Sequence, residues 1–426
     1  MSTLKAVRGT RDLLPPETAL WNRIEATARA VFARYNFGEI RTPVFEDTSL
    51  FARGVGEETD IVSKEMYTWE DRARAQSEKS QSLTLRPENT AGVVRAYIEH
   101  KLGETGQLQK LYYIGPQFRR ERPQKGRYRQ FSQIGAEVIG PPSAGSESPL
   151  RDAEVLEMLA TLLDELGIAG WTLHLNSVGS SADRERYNAV LRTALAEVAP
   201  KMCADCQRRA VTNPLRVLDC KVPEDQPIIE QLPKIGDSLD QESKEHFAAV
   251  LAALDAAGVP YELNSRLVRG LDYYTRTTFE FTHGGLGAQN ALLGGGRYDG
   301  LSEAIGGPKA PGIGFAIGED RLVLTLQAQE AAAIEKGDAY IAPLGEAMNS
   351  AALKLARELR REGLKIELGD GSFRLKKSFE AAEKTARRIV ILGEDELASG
   401  ILTVKDFASG TQTKVARAEL VAELCR

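Results

Sequence analysis

The chain has 426 residues, of which 42% are hydrophobic and 27% are charged, and its formal net charge is −5. This length exceeds what one ordinary core organises, so we expect two or three domains. No apolar run is long enough for a membrane-spanning helix, and the first residues lack the apolar core of a signal peptide, so we expect a cytoplasmic protein. The acidic balance argues against indiscriminate coating of nucleic acid but is compatible with a local basic site.

The first hundred residues show signals for two helices with strands between them. Apolar residues recur at helical spacing over residues 17–36, and the strand-like stretch EIRTPVFE follows at residues 39–46. Residues 60–82 are polar and irregular, and the stretch RARAQSEKSQS at residues 72–82 predicts an exposed loop. A short strand that closes at Pro87 and a helix over residues 89–102 complete this part of the pattern.

Residues 111–121 and 127–139 predict two strands joined by the polar turn RPQKG. Successive side chains of a strand point to opposite faces, so Arg119 shares a face with Glu121. One face of the second strand, with Arg127 at its mouth, carries Arg129, Phe131, Gln133, Gly135 and Glu137. The other face carries Ile134, Ala136 and Val138, which predicts packing against a core.

The tip of this hairpin concentrates positive charge in an acidic protein. Residues 118–137 hold five arginines, one lysine and two glutamates. Arginines bind phosphate oxygens bidentately, Phe131 can stack on a flat ring, and Gly135 leaves room for a ligand. Gln133 and Glu137 can hydrogen-bond a polar amine or ring. The alternative is a solvated face with scattered ion pairs, but phenylalanine and glycine in phase with the charges favour a ligand site.

The rest of the chain predicts a further helix and strand, an insertion and a second domain. Residues 150–167 read as an amphipathic helix and residues 171–179 as a strand, whereas residues 180–258 are mostly helical and resemble an inserted module. Strand signals return from Pro260, and residues 326–337 make a linker. Residues 338–426 alternate strand and helix, which predicts an α/β domain with a largely parallel sheet. The predicted domains are therefore residues 1–179 with 259–326, residues 180–258, and residues 338–426.

The four cysteines are too few for a disulfide scaffold. Cys203 and Cys206 form a CxxC pair, and Cys220 follows fourteen residues later. A structural zinc site needs a fourth ligand, which is missing at the usual spacing, and His246 is distant in sequence. Reduced thiols are therefore the first interpretation, with a zinc site as the alternative.

Several stretches resemble the class II aminoacyl-tRNA synthetases in the form used by histidyl-tRNA synthetases of bacterial type. FRRERPQKGRYRQF resembles motif 2, PGIGFAIGEDRLVL resembles motif 3, and YNFGEIRTPVFE resembles the dimer-interface motif 1 with Pro43. LVRGLDYYTRTTFEF and LLGGGRYDGL resemble the two stretches that distinguish the histidine enzymes, and TLRPENT resembles the family's TLRPEGT. The resemblance implies an α+β catalytic domain on an antiparallel sheet, a helical insertion and a C-terminal α/β anticodon-binding domain. It also implies a homodimer.

The resemblance implies an enzyme that activates L-histidine with ATP and Mg²⁺ and transfers it to tRNA(His). Arg119 and Arg269 would be the catalytic residues, which stabilise the charge that develops on the α-phosphate. Glu121 would orient the adenine, and Arg127 would bind the γ-phosphate. The magnesium would be held mainly by phosphates and water, without a protein ligand that the sequence identifies.

The resemblance also assigns the remaining residues of the site. Phe131 and Arg321 would enclose the adenine of ATP. The set implied for histidine is Glu88, Thr90, Gln133, Glu137, Arg269, Tyr273 and Tyr274. Glu88 and Thr90 would hold the α-amino group, and the two tyrosines would form the imidazole end of the pocket, although ordinary strand packing is the alternative for Tyr273. LLGGGRYDGL would supply a glycine-lined wall with Arg297, or else a tight turn.

Two positions depart from the family pattern. Asn89 stands where the family usually has glycine, and asparagine tolerates a positive φ better than most residues. Ser132 stands where histidine is frequent, and its position on the opposite strand face predicts little effect on activation.

Two further functions are alternatives. A regulatory paralogue of histidine biosynthesis typically lacks the C-terminal domain and loses motif arginines, whereas this chain retains both. A class II enzyme for proline or threonine is disfavoured by RGLDYY.

Overall fold

The structure, a computed structural model, describes residues 3–56, 59–71, 80–124, 126–286, 290–329 and 336–425. The chain divides into two compact units, Met1–Ala332 and Ala333–Arg426, and each has its own hydrophobic core. The predicted loop over residues 72–82, the RPQKG turn and the predicted linker lie partly outside the described residues. The prediction that the segment before this loop is irregular is wrong, because Tyr67–Asp71 forms a strand. Across the described ranges, no helix has the length and apolar character that crossing a membrane requires.

The large unit contains strands from two sheets. They are β1 (Gly38–Glu39), β2 (Phe45–Asp47), β3 (Tyr67–Asp71), β4 (Gln81–Leu85), β5 (Gln109–Phe118), β6 (Gln130–Ile139), β7 (Trp171–Ser177), β8 (Glu262–Leu263), β9 (Thr275–His283), β10 (Ala291–Arg297) and β11 (Gly312–Gly318). Eight of them form one sheet in the order β1-β5-β6-β11-β10-β9-β7-β8. The six central strands are antiparallel, and the short edge strands β1 and β8 pair in parallel. The predicted α+β fold on an antiparallel sheet is confirmed.

Helices cover one face of this sheet. The helices of the large unit are α1 (Glu17–Arg34), α2 (Thr48–Val55), α3 (Thr90–Glu99), α4 (Pro149–Glu165), α5 (Ser181–Val198), α6 (Ala204–Thr212), α7 (Gln226–Gln231), α8 (Gln241–Ala257), α9 (Leu301–Ala304) and α10 (Glu319–Gln329). The core between sheet and helices draws on α1, α4, α8 and α10. Ile134, Ala136 and Val138 point into it and are at most 2% exposed, as their alternation along β6 predicts. The opposite face of the sheet is left for a site.

The predicted hairpin is confirmed, but its strands are shorter than predicted. β5 and β6 pair from Gln109 opposite Ile139 to Phe118 opposite Gln130. Arg119 lies just beyond the end of β5, and its N–H donates to the carbonyl oxygen of Arg129 at 2.9 Å. The tip therefore carries arginines on irregular backbone, where strand alternation no longer fixes their direction.

The prediction of a single strand for EIRTPVFE is wrong. β1 joins the large sheet, whereas β2 belongs to a separate three-stranded sheet in the order β2-β4-β3. Between them lies Pro43, which has no N–H to donate to a sheet. The chain thus changes sheets at this proline.

Residues 180–258 are mainly helical, as the sequence predicts, while the domain boundaries at their ends stay predictions. Helix α5 begins at a capping box in which Ser180 and Asp183 satisfy each other's backbone N–H groups. A separate core gathers Tyr187, Leu191 and Val217 with neighbouring apolar residues. The segment therefore has its own packing.

The small unit is an α/β fold, and its sheet is only partly parallel. Its elements are β12 (Gly337–Pro343), α11 (Asn349–Arg361), β13 (Ile366–Leu368), α12 (Leu375–Thr385), β14 (Ala386–Leu392), α13 (Glu394–Ser399), β15 (Ile401–Asp406), β16 (Gln412–Ala416) and α14 (Leu420–Leu424). The strand order is β13-β12-β14-β15-β16. β12 pairs in parallel with β13 and β14, but β15 and β16 are antiparallel additions that the sequence prediction missed. The connection from β14 to β15 holds only the short helix α13, and β15 leads to β16 through a tight turn, so both connections are shorter than the dozen or more residues that a parallel crossover needs.

Candidate active site

A cavity of about 500 Å³ lies over the sheet face that carries Phe131 and Gln133. Seven of the predicted site residues line it: Arg119, Glu121, Arg127, Phe131, Gln133, Arg269 and Arg321. They come from the hairpin tip, β6, the segment before β9, and the start of α10. Residues separated by up to two hundred positions therefore meet in one pocket, whose volume suits a nucleotide-sized ligand.

The hairpin tip is held by charge pairs. The Nε of Arg119 donates to the carbonyl oxygen of Pro87 at 2.9 Å, and its carbon Cζ lies 5.2 Å from the ring centroid of Phe131. Glu121 lies between two arginines, 3.2 Å from a guanidinium nitrogen of Arg127 and 3.9 Å from one of Arg119. These contacts hold both guanidinium groups at the cavity.

Arg269 approaches the cavity from the segment before β9. Its Nη1 donates to Oε1 of Glu280 at 2.6 Å. A Cβ added at Gly294 would lie 2.5 Å from the guanidinium carbon of Arg269. The bare backbone of Gly294 is therefore what admits this side chain.

Arg321 adds a fourth guanidinium from the first turn of α10. Its Nη1 donates to the backbone carbonyl oxygen of Ala291. Burial lowers the pKa of Arg321, and the nearby cation Arg127 lowers it further. Cations gathered this closely repel one another, so an anion between them is favoured.

The other predicted residues form a second, buried cluster on the same face of the sheet. Thr90 Oγ1 donates to Oε1 of Glu137 at 2.7 Å, and the Tyr298 hydroxyl donates to Oε2 of Glu137 at 2.7 Å. Glu88 caps the start of α3, since its carboxylate accepts from the N–H groups of Thr90 at 2.8 Å and Ala91 at 3.0 Å. Two carboxylates are thus held rigidly below the protein surface.

Aromatic rings close this cluster. Tyr273 and Tyr274 lie 4.7 Å apart by ring centroid, and Tyr273 lies 5.9 Å from Tyr298. A Cβ at Gly314 would come within 1.7 Å of Oε2 of Glu137, so only a glycine at this position leaves room for the carboxylate. The side-chain oxygen of Gln133 is buried and has no hydrogen-bond partner among the described residues, which leaves an acceptor for a ligand amine.

Burial shifts both carboxylates toward the protonated form. Burial raises the pKa of Glu88, while the amide donors of Ala91 and Thr90 and the Arg119 charge oppose the rise. Burial raises the pKa of Glu137 to about 8, despite the hydroxyl donors Tyr298 and Thr90. A cationic ligand placed between them would restore both negative charges.

Three sequence interpretations near the site are wrong. Gly135 leaves no room for a ligand, because the hydroxyl end of Tyr113 fills the space 2.4 Å from where its Cβ would stand. Arg129 does not share the site face, since β6 begins at Gln130 and the Arg129 side chain lies against Gly9. Arg297 is no wall of the pocket, because it is fully buried and pairs with Asp152.

The three successive glycines of LLGGGRYDGL form a strand and not a turn. They lie in β10, where Gly294 admits Arg269 and Gly296 admits the ring of Tyr274, 2.8 Å from a built Cβ. The run is thus explained by close packing of site residues against a strand.

The two departures from the family pattern have local explanations. Asn89 has φ −122°, so the expectation of a positive φ is wrong, and its Oδ1 accepts from Thr42 at 2.6 Å. Ser132 lies beside Glu319 on the helix-covered face of β6, away from the cavity, and its hydroxyl partly opposes the rise in the pKa of that carboxyl group.

Sequence reasoning missed several residues of the cavity wall and the buried cluster. Glu65 and Glu280 line the cavity, as do Arg216 and Asp219 from the helical insertion, and Tyr298 binds Glu137. Tyr298 follows Arg297 in the RYDGL stretch. Because successive side chains of an extended chain point to opposite faces, the burial of Arg297 on one face would have placed Tyr298 on the face of the site. The insertion residues carry no local signal, because only the tertiary fold brings them to the cavity.

The arrangement suits an enzyme that joins a small zwitterion to a nucleotide. The guanidinium groups of four predicted site arginines line the cavity. Glu137, with its two hydroxyl donors, lies farther along β6, and Glu88 lies near it at the start of α3. The antiparallel sheet under these residues is the framework of the class II aminoacyl-tRNA synthetases.

Comparisons with known proteins specify the member of this class. The histidyl-tRNA synthetase family profile matches residues 9–322, and an anticodon binding domain profile matches residues 338–426. The histidine–tRNA ligase of Koribacter versatilis (strain Ellin345) is 75% identical over 418 residues, which cover 98% of this chain and 95% of that protein. The histidine–tRNA ligase of Solibacter usitatus (strain Ellin6076) is 56% identical and covers 99% of both chains.

A solved structure agrees with these relatives. The crystal structure of apo S. aureus histidyl-tRNA synthetase superimposes with a TM-score of 0.80 at 37% identity, covering 100% of both chains. This chain belongs to the histidyl-tRNA synthetase family.

Proposed function

We propose that the cavity and the buried cluster together carry out the reaction of a histidine–tRNA ligase. In the first step a carboxylate oxygen of histidine attacks the α-phosphorus of ATP, and the bond to the β-phosphate breaks to release pyrophosphate. In the second step the ribose hydroxyl at the end of tRNA(His) attacks the acyl carbon, and AMP leaves. The observation that carries the proposal is the joint placement of four arginines at one cavity and two carboxylates along the same sheet face.

Arg119 and Arg269 are the proposed catalytic residues. Both guanidinium groups line the cavity, from the hairpin tip and from beside β10. Negative charge builds on the α-phosphate oxygens as the new bond forms, so fixed cations there lower the barrier. Their ion pairs with Glu121 and Glu280 hold them in place without a rearrangement during the reaction.

The remaining cavity residues position ATP. Arg127 is more exposed than the two proposed catalytic arginines, with 41% of its side chain accessible against 21% for Arg119 and 23% for Arg269, which suits the terminal phosphate. Phe131 and Arg321 would enclose the adenine ring. Phe131 would stack on one face of the ring, and the planar guanidinium of Arg321 would pack against the other. Glu121 would accept a hydrogen bond from the adenine amine.

The buried cluster is the proposed histidine pocket. Glu88, Thr90 and the free acceptor of Gln133 would bind the α-ammonium group, whose positive charge matches Glu88. Glu137 would accept a hydrogen bond from an imidazole N–H, and Tyr273 and Tyr274 would line the ring. Buried donors and acceptors placed in this way reject side chains that cannot match them.

Magnesium fits the cavity as a companion of ATP. Glu65 and Glu121 both line it, and their charges lie close enough that Glu121 contributes to the raised pKa of Glu65, after burial. Carboxylate oxygens are ligands that Mg²⁺ prefers, although we expect phosphates and water to supply most of them. When bound, the ion would neutralise phosphate charge.

The regulatory alternative is not favoured. Near-full-length relatives at 75% and 56% identity are histidine–tRNA ligases, and the chain retains all four arginines. ATP–pyrophosphate exchange tests the function directly. We expect exchange that requires histidine and is absent with proline, threonine or glycine. A folded, magnesium-supplied protein without histidine-dependent exchange would instead support a regulator.

We also propose a homodimer that uses the three-stranded sheet. Its strands expose Phe45 by 52% and Trp69 by 40%, in edge-to-face contact at 6.0 Å, and Val44 beside them is 38% exposed. Apolar side chains grouped in this way favour a protein partner, and motif 1 at Pro43 adjoins them. Light scattering at micromolar concentration is expected to give twice the monomer mass, and a fully active monomer would contradict the proposal.

The C-terminal unit is the proposed reader of the tRNA anticodon, on the match of residues 338–426 to anticodon binding domains. Charging of tRNA serves translation, so we infer that the protein works in the cytoplasm.

A further inference from the structure

Three cysteines and one aspartate converge in the helical insertion. The sulfur atoms of Cys203, Cys206 and Cys220 and a carboxylate oxygen of Asp225 all lie within 4.8 Å of one another. Cys206, Cys220 and Asp225 are buried, Cys203 is partly buried, and all three cysteines are free thiols. Asp225 thus supplies a fourth group of metal-binding chemistry, beside the three cysteines whose sequence spacing alone offered none.

We propose that Cys203, Cys206, Cys220 and Asp225 form a structural zinc site. Zinc prefers tetrahedral coordination by thiolates, imidazoles and carboxylates, and four protein ligands are typical of a structural site. The hard, oxygen-seeking ions Mg²⁺ and Ca²⁺ do not select three sulfur ligands.

The spacing of the ligand atoms fits a tetrahedron. Ligand sulfurs at about 2.3 Å from zinc are separated by about 3.8 Å along a tetrahedral edge. The sulfurs of Cys203 and Cys220 are 3.9 Å apart, and the sulfur of Cys220 is 3.2 Å from Oδ2 of Asp225. The cluster therefore needs only small shifts to enclose one ion.

The backbone around the cluster favours negatively charged ligands. Cys203 is the N-cap of α6 and Cys206 lies in its first turn, where the helix dipole and free N–H groups stabilise thiolates. The N–H of Cys203 donates to the Asp225 carboxylate at 3.1 and 3.2 Å, and the N–H of Val222 donates to the Cys220 sulfur at 3.4 Å. Such donors orient ligands from outside the first coordination sphere.

The site would anchor a wall of the active-site cavity. Cys220 directly follows the segment Pro214–Asp219, whose Arg216 and Asp219 line the cavity. Arg216 also lies 3.7 Å from Asp60 of the same wall. An ion that joins Cys220 to α6 would hold this segment, so we place the metal in a supporting role and not among the reacting groups.

Metal content of the full-length protein tests the site. Protein purified without chelator is expected to carry about one zinc ion per chain by elemental analysis, as a closed four-ligand site does. Cys220→Ser should lose most of this zinc, whereas Cys425→Ser, at an exposed cysteine outside the cluster, should retain it. Asp225→Asn keeps the shape of the side chain and serves as a second variant if Cys220→Ser does not fold.

Cobalt substitution gives a readout that does not depend on activity. Chelator-stripped wild-type protein with Co²⁺ should show thiolate-to-cobalt charge transfer and tetrahedral visible bands, which Cys220→Ser weakens. Wild-type protein without zinc and without these bands would overturn the proposal, as would zinc that persists in Cys220→Ser and Asp225→Asn. A thiol titration that finds Cys203 and Cys220 joined as a disulfide in the native protein would also overturn it.

Discussion

The guanidinium of Arg269 occupies the space that a side chain at position 294 would fill, 2.5 Å from an ideal Cβ on Gly294. The contact is with the end of a flexible side chain and not with backbone. A methyl group at this position can therefore displace Arg269 without breaking the strand.

Gly294→Ala is expected to lower the rate of histidine-dependent pyrophosphate exchange while leaving thermal stability close to wild type. Arg269→Ala gives the largest decrease in exchange rate that Gly294→Ala could cause. Loss of one group that stabilises a transition-state charge costs about 2.7–4 kcal/mol, which lowers the rate roughly 10²- to 10³-fold. Gly300→Ala is the matched control, because nothing lies within 4 Å of its built Cβ. Equal exchange rates in Gly294→Ala, Gly300→Ala and wild type would contradict the catalytic role proposed for Arg269.

Glu88→Gln should weaken histidine binding with little change in ATP binding. The substitution removes the counter-charge of the α-ammonium group and places an amide donor opposite the N–H groups of Thr90 and Ala91. An unpaired buried charge costs about 3–5 kcal/mol, so we expect at least a hundredfold rise in the histidine concentration required. Glu99→Gln, whose side chain is 59% exposed, is the control. A normal histidine requirement in Glu88→Gln would show that Glu88 serves only as the cap of α3.

Histidine binding should release protons near neutral pH through Glu137. Burial raises the pKa of this carboxyl group to about 8, so it is largely protonated at pH 7 in the free enzyme. An imidazole N–H favours the carboxylate and lowers that pKa, so histidine affinity should rise between pH 7 and 8. Calorimetry at pH 7 in two buffers of different ionisation enthalpy counts the protons. Glu137→Gln should remove this release, and an unchanged proton count in the variant would contradict the assignment.

Stability should fall as pH rises, in part because of Glu319. Burial at the start of α10 raises the pKa of this carboxyl from 4.5 to about 8. Between these values the native state binds more protons than the unfolded state, so the free energy of unfolding decreases with pH across that window. Glu319→Gln should flatten the slope and stabilise the large unit at pH 8 by up to about 4 kcal/mol, because nearly all of the difference between the two pKa values acts at that pH.

Tryptophan fluorescence measures this effect in the large unit alone. Trp21, Trp69 and Trp171 are the three tryptophans of the chain, and all lie within Met1–Ala332. Urea midpoints at pH 6 and pH 8 give the slope, with the exposed Glu70→Gln as control. The same slope in Glu319→Gln and wild type would mean that Glu319 is not protonated in the native state.

The sequence predicts the parts of this fold that periodicity encodes. Helix α1 and the β5–β6 hairpin follow from apolar spacing, and Ile134, Ala136 and Val138 do enter the core. Where backbone alternation ends, prediction fails. Arg129 lies outside β6, so the alternation of side chains along that strand does not fix its direction. The prediction that Arg129 shares the site face is wrong for this reason.

Other features depend on contacts that no local pattern carries. Gly135 makes room for Tyr113 of the neighbouring strand, and Arg297 is neutralised by Asp152 of α4, far away in sequence. Asp225 joins three cysteines although it stands at no familiar ligand spacing. Motif resemblance proposes the site residues, but only tertiary structure separates those at the cavity from those in the buried cluster.

The last prediction separates the two units. Protein truncated after Gln329 retains every residue proposed for activation, because all of them lie in the large unit with its own core. It should therefore keep histidine-dependent pyrophosphate exchange near the full-length rate. It should charge tRNA poorly, mainly through weaker tRNA binding, because the unit that matches anticodon binding domains is gone. We expect phosphate and base contacts in that unit from Arg374, Lys376 and Lys377 beside Phe373, at the start of α12, where the Lys377 amine lies 3.7 Å from the ring centroid.

Comparing exchange with charging on the truncated protein tests both halves of this prediction. Full-length Arg269→Ala is the control, since it should lose exchange and charging together. Charging at full-length efficiency after truncation would mean that residues 338–426 do not contribute to tRNA recognition. Loss of exchange in a truncated protein that still shows native tryptophan fluorescence would mean that the small unit contributes to activation itself.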